Sequence, residues 1–124
     1  MKNIETAFCT IKIHDEWIVQ QNREKLNLIS TQDSNCVITI TSSQSQTKVY
    51  TNDMQRFIQR YIEEGIICDD VIISDWVGYR ALPLKKTEWM LFYSRTILFI
   101  TMSSQNNKYV NLCENIISNI TPKL

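Results

Sequence analysis

Two hydrophobic periods divide this chain of 124 residues between them. Over most of its length apolar and polar residues alternate at every second position, the spacing of a strand with one buried face. In two stretches they recur every three to four positions, the spacing of an amphipathic helix. The most apolar stretch, Trp89 to Ser103, fits neither rule at first sight. Arg95 divides it, and its uninterrupted apolar pieces fall below the roughly 20 residues of a membrane span. As one strand it would be too long for a domain of this size. Polar Ser94, Arg95 and Thr96 offer a connection, so the stretch predicts a hairpin of Thr87–Tyr93 and Thr96–Met102. Trp89, Leu91 and Tyr93 point one way and Met90 and Phe92 the other; Ile97 and Phe99 oppose Leu98, Ile100 and Met102. Both faces are apolar, which predicts a central hairpin covered on both sides.

The remaining elements follow from the same patterns. Ala7 to Ile13 alternates, with Cys9, Ile11 and Ile13 on one face, and His14, Asp15 and Glu16 form a polar turn. Trp17 to Gln21, Lys25 to Ser30 and Cys36 to Ser42 read as three further strands, with turn chemistry at Gln32-Asp33-Ser34-Asn35 and an exposed polar loop from Ser42 to Lys48. At Asn52 the period changes: Met54, Phe57, Ile58, Tyr61 and Ile62 share a helical stripe. Asn52 and Gln55 suggest a capping box, Asp53 suits the first turn, and Gly65 ends the helix near Glu64. Ile66 to Trp76 returns to strand character. Gly78 suggests a turn or bulge before a strand from Tyr79 to Leu84, which Pro83 confines to an edge or ends. A second helix carries Tyr109, Leu112, Cys113, Ile116, Ile117 and Ile120, and Pro122 stops it. Strands, a helix, strands and a helix make a single α+β domain over residues 1–124: a central antiparallel β-sheet covered by two amphipathic helices.

Composition narrows the function classes. Thirteen basic and thirteen acidic side chains balance, which argues against a general binder of nucleic acid or anionic membrane. Two glycines and two prolines leave no Gly-rich phosphate loop. Cys9, Cys36, Cys68 and Cys113 are widely spaced, without a CxxC pair, and are expected as buried free thiols rather than metal ligands. The first residues lack the apolar core of a secretory signal, so a cytoplasmic protein is expected.

His14 is the single histidine, which excludes mechanisms using two imidazoles. Cys9 would lie roughly 16 Å from it along an extended strand, too far for a local Cys–His dyad. The adjacent carboxylates Asp15-Glu16, Glu63-Glu64 and Asp69-Asp70 read as solvated surface, because adjacency does not place two carboxyl groups across a cleft. No catalytic residue, cofactor or metal ligand is expected. One asymmetry is informative: Glu63, Glu64, Asp69, Asp70 and Asp75 fall in one stretch with no basic residue among them. From Arg80 to Lys108 the sign reverses, with Arg80, Lys85, Lys86, Arg95 and Lys108 against Glu88. The stretch is either ordinary solvated surface or an acidic surface suited to a basic partner, and the neighbouring Trp76 and Tyr79 are residue types that anchor interfaces or pack in the core, core packing fitting Trp76 better than Tyr79.

In layout the chain resembles the PsbP-like superfamily. The corresponding pieces are an opening strand running into a tryptophan (IKIHDEW), a helix beginning TNDMQRF, the segment DWVGYRA, a tryptophan-bearing hairpin (EWMLFYSRTILFITMS) and a closing helix ending ENIISNI. The resemblance implies a PsbP-like α/β/α sandwich and partner recognition rather than chemistry. The chain is also similar to cytosolic immunity proteins of bacterial polymorphic toxin systems, including those of contact-dependent growth inhibition. That similarity implies a monomer that neutralises a cognate, basic toxin domain, such as a nuclease, by covering its active site in a 1:1 complex, with no direct contact to nucleic acid or membrane. Glu63, Glu64, Asp69, Asp70, Asp75 and Tyr79 are the candidate partner-binding residues. The alternative is an adaptor or chaperone for a secreted effector, working through an exposed apolar groove.

Overall fold

The computed structural model describes residues 1–22, 25–32 and 36–123. The turn expected at Asp33, Ser34 and Asn35 lies outside the described residues, as do the side chains of Thr51 and Phe57. The chain folds as β1 (Lys2–Glu5), β2 (Cys9–Ile13), β3 (Trp17–Gln21), β4 (Lys25–Ser30), β5 (Val37–Gln44), α1 (Thr51–Glu63), β6 (Ile67–Ile73), β7 (Trp76–Leu82), β8 (Thr87–Tyr93), β9 (Thr96–Met102), α2 (Asn107–Ser118) and β10 (Ile120–Pro122). A seven-stranded antiparallel sheet has the order β3-β4-β5-β9-β8-β7-β6, and a three-stranded sheet has the order β1-β2-β10.

The hairpin of β8 and β9 has the expected bounds and sits inside the large sheet, Trp89 opposite Ile100 and Leu91 opposite Leu98. Alternation divides the sheet into two surfaces. On one, Leu26, Leu28, Ile38, Ile40, Leu98, Ile100, Trp89, Leu91 and Trp76 pack against Ile4, Ile11, Ile13 and Ile120 of the small sheet and Val110, Cys113, Ile116 and Ile117 of α2. On the other, Ile58 and Tyr61 of α1 pack over Ala81, with Ile66, Cys68, Tyr79 and Met90 around them. The expected fold class holds, a central antiparallel sheet between two helices, with α2 sharing its layer with a small sheet.

Several expectations are corrected. Ile120 does not extend the second helix: α2 ends at Ser118, and Ile120–Pro122 pairs with β2. β1 is an additional strand. β5 runs on to Gln44 and buries Ser42, so the polar stretch there is partly sheet. The N-cap of α1 is Tyr50, not Asn52: the Tyr50 amide donates to the Asp53 carboxylate at 3.2 Å. Gly65, at φ 74°, ends that helix as expected.

The turn expected at Gly78 lies instead at Ser74 and Asp75, with Ser74 at φ 56°. Gly78 is an in-register strand residue between Val71 and Leu91. Its glycine identity follows from close approach: a Cβ there would lie 2.0 Å from the Met90 carbonyl oxygen. The obstacle is backbone in the middle of a sheet and cannot swing aside. Gly78→Ala is therefore expected to lower stability by about 3 kcal/mol, at the upper end of overpacking costs. Denaturant titration checks this; a loss below about 1 kcal/mol would show that the strand shifts freely.

Candidate functional site

The acidic residues gather on the edge formed by β6, its turn and the end of α1. Their arrangement follows from strand geometry. Adjacent residues of a strand point to opposite faces, so Asp69 and Asp70 cannot share one. Asp70 faces the α1 side in register with Tyr79, and Asp69 faces the α2 side in register with Arg80. Glu63 and Glu64 close α1 near the start of β6, whereas Asp75 sits in the turn at its far end, roughly 20 Å away at strand rise. The structure thus arranges Glu63, Glu64, Asp69, Asp70 and Asp75 as an exposed ribbon along one edge, not as a single cluster.

Arg80 modifies that ribbon. Its guanidinium donates to Glu114 of α2 at 3.0 Å and lies 3.9 Å from Asp69. Trp89 Nε1–H donates to the same Glu114 oxygen at 3.0 Å. These contacts tie α2 to the sheet and partly neutralise Asp69. Asp70 and Asp75 form no salt bridge among the described residues, so their charge is open to a partner. Tyr79 is half-buried; burial, and then the Asp70 charge, push its phenol pKa up. Trp76 is fully buried, donates from Nε1 to the Ile120 carbonyl at 3.0 Å and stacks edge-on with Tyr93 at 6.1 Å. It serves the core, the alternative that its sequence position had left open beside a role as an anchor.

Sequence reasoning missed the apolar members of this surface. Ile72 is 79% exposed and Ile67 63%, with Ile62 of α1 and Val77, the cross-strand neighbour of Ile72, also exposed. A signal was present in Val71-Ile72-Ile73, three consecutive apolar residues that a one-faced edge strand cannot all bury. Large apolar groups beside unpaired carboxylates are the mixture found in recognition surfaces, with apolar contact for affinity and charge for selection.

Behind this edge lies a second polar contact. Glu88 of β8 is only 8% exposed and accepts from the Tyr61 hydroxyl of α1, with the Lys86 ammonium 3.7 Å away. A cavity of about 10 Å³ beside them, lined by Ile58, Tyr79, Met90 and Phe99 among others, is at the lower limit for one water. This is a strut holding α1 to the sheet and has no room for a substrate. His14 is exposed in the β2–β3 turn. Cys9, Cys36 and Cys113 are buried thiols and Cys68 is half-buried; burial pushes the Cys9 pKa up to about 11. Among the described residues no group of histidine, cysteine and carboxylate side chains could hold a metal ion, and no helix is long and apolar enough to cross a membrane.

The strut makes a prediction with a definite sign. Burial, and then the bond to Glu88, push the Tyr61 phenol from an ordinary 10 up to about 12. The native state therefore holds this proton more tightly than the unfolded chain does. The resulting stability is fully present below pH 10 and is lost as pH rises through about 12. Tyr61→Phe should cost about 2 kcal/mol at neutral pH by removing a donor to a buried carboxylate. It should also flatten the alkaline decline of stability, and denaturant titrations at pH 8, 10 and 11.5 read both effects.

No protein-family model matches the chain, and no curated protein matches it by sequence. Solved structures do match in shape. A Bacteroides thetaiotaomicron protein superposes with a TM-score of 0.68 at 9% identity, covering 94% of this chain and 45% of its own, so the chain spans under half of that protein. The cyanobacterial PsbP protein of Synechocystis superposes with a TM-score of 0.58 at 9% identity, covering 93% of this chain and 86% of its own. The strand and helix layout that these similarities share with the chain is a PsbP-like fold.

Proposed function

We propose that this protein acts by binding another protein, as an immunity protein that neutralises a cognate bacterial toxin domain by covering its active site. The observation that carries the reading is the edge surface of β6 and β7. Ile72 and Val77 are exposed there on the face of Asp70, with Asp75 in the adjoining turn, and neither carboxylate has a salt-bridge partner among the described residues. A core-forming sheet has no use for isoleucine exposed in this way, and an unpaired carboxylate gains most from a basic partner. A nuclease toxin, whose cleft attracts phosphate, presents such a partner. The polar contacts traced above are engaged in holding the two helices, which agrees with a binding role.

A second reading, an adaptor or chaperone for a secreted effector, is favoured by a different surface. α1 packs over β6, β7 and β8, leaving the same face of β3, β4, β5 and β9 without a helix. Ile18 there is 50% exposed, and Ile29, Val37, Ile97 and Phe99 are half-buried.

Co-expression with the protein encoded immediately upstream tests both. The immunity reading expects rescue from toxicity and a stable 1:1 complex. Reversing Glu64, Asp70 and Asp75 to lysine, while leaving Asp69 on Arg80, should weaken that complex about 100-fold, much of it through slower association. Rescue that persists undiminished in this triple variant but is lost in Ile18→Asp would move the interface to the open face. No protection by the wild-type chain would remove the immunity reading.

A further inference from the structure

β6 is an edge strand: β7 pairs with one of its sides, and among the described residues no backbone group pairs with the other. The two-residue turn at Ser74 and Asp75 makes Ile73 and Trp76 a hydrogen-bonded closing pair. Counting back by twos, Ile73, Val71, Asp69 and Ile67 bond inward to β7. Ile72, Asp70 and Cys68 therefore turn both N–H and C=O outward. The side chains of those same three residues project on the α1 face, with Asp70 beside Tyr79 and Ile72 beside Val77.

The opposite edge of the sheet is treated differently. On β3 the Trp17 carbonyl accepts from Lys2 Nζ at 2.6 Å, and the Gln21 amide reaches the Glu5 carbonyl at 2.8 Å, so β1 is laced to that edge. β6 has no proline, no lysine and no bulge, the usual devices that blunt an edge. It has instead two aspartates at its centre. An antiparallel second copy of β6 paired over its full length would place Asp70 opposite itself, and like charges directly opposite destabilise a pair. The acidic centre thus disfavours self-pairing while a basic strand would be drawn to it.

We propose that β6 is a docking edge for a basic β-strand of the partner protein. The added strand extends the seven-stranded sheet by one, with lysine or arginine opposite Asp70 and an apolar residue against Ile72 and Val77. On the other face Arg80 already lies near Asp69, so charge is selected chiefly on the α1 side. This rests on the protein-binding reading above and adds the mode of contact and the chemistry of the contacting segment.

The test needs no toxin. The ¹⁵N-labelled protein is titrated with a blocked peptide Ac-TVTKTKT-amide, which in antiparallel pairing sets its valine against Ile72 and its lysines against Asp70 and Cys68 on one face, and, separately, with its acidic counterpart Ac-TVTETET-amide. Saturable shifts at the amides of Cys68, Asp70 and Ile72 with the basic peptide, at least about tenfold weaker with the acidic one, are expected. Asp70→Pro removes an outward N–H that the β6–β7 ladder does not use, and should abolish the shifts while leaving the β7–β9 spectrum in place. Asp70→Lys, which retains the backbone, should reverse the preference toward the acidic peptide and serves if the proline variant does not fold. Absence of saturable shifts, equal response to both peptides, shifts centred on β3, or an unchanged preference in Asp70→Lys would each overturn the proposal. Peptide docking without rescue in co-expression would leave the edge standing and remove the toxin as its partner; rescue without peptide docking would do the reverse.

Discussion

The hairpin of β8 and β9 is apolar on both faces, and the architecture answers that constraint, completely for Trp89, Leu91, Leu98 and Ile100 and in part for Met90, Ile97 and Phe99, which stay half-buried. Trp89, Leu91, Leu98 and Ile100 on one side and Met90, Phe92 and Phe99 on the other each require a cover. One helix cannot wrap both. The chain supplies α1 to one side and α2 with the small sheet to the other, and fastens each by a polar contact where a carboxylate meets the sheet layer. Glu88 holds Tyr61 of α1, and Glu114 of α2 holds Arg80 and Trp89. Charge-assisted bonds of this kind are directional, so they set where each helix lies, whereas apolar burial sets only that it lies somewhere on the face.

Local period made most of the strands legible, because a one-residue slip would turn a strand's whole apolar set outward. The ranges Trp17–Gln21, Lys25–Ser30, Thr87–Tyr93 and Thr96–Met102 are found as read from the sequence. What escaped was short, non-local or a matter of close contact. β10 has three residues and exists because it pairs with β2 from the far end of the chain, a separation that leaves no local pattern, whereas β1 pairs with β2 in a local hairpin and escaped because only Ile4 of its four residues is buried. Gly78 suggested a turn because glycine commonly supplies one. Its actual constraint is the approach of the Met90 carbonyl from the next strand, which only the fold brings there.

The candidate site was legible in charge and not in shape. That Glu63, Glu64, Asp69, Asp70 and Asp75 lie outside the core followed from their ionisation. Their division between two faces followed from the two-residue period and could have been read in advance. The engagement of Arg80 could not, since it depends on a glutamate 34 residues away on a different element. Without that contact Arg80, directly across from Asp69, would be freer to neutralise the ribbon. With it, the positive charge is shared with α2, and Asp70 is left as the open charge at the centre of the strand.

An edge strand with exposed isoleucines is an invitation to pair with any extended chain, itself included, and a sheet protein has to restrict that invitation. Lysine on the edge, proline or a covering loop would close it to all partners. Two aspartates at its centre restrict it differently, because repulsion acts on an identical strand and attraction on a basic one. At 4 Å two unit charges near a protein surface interact by about 4 kcal/mol before screening, so even a strongly screened remainder discriminates between the two cases. One pair of residues can thereby discourage self-association and select a partner, and neither effect requires a pocket, a metal or a catalytic group.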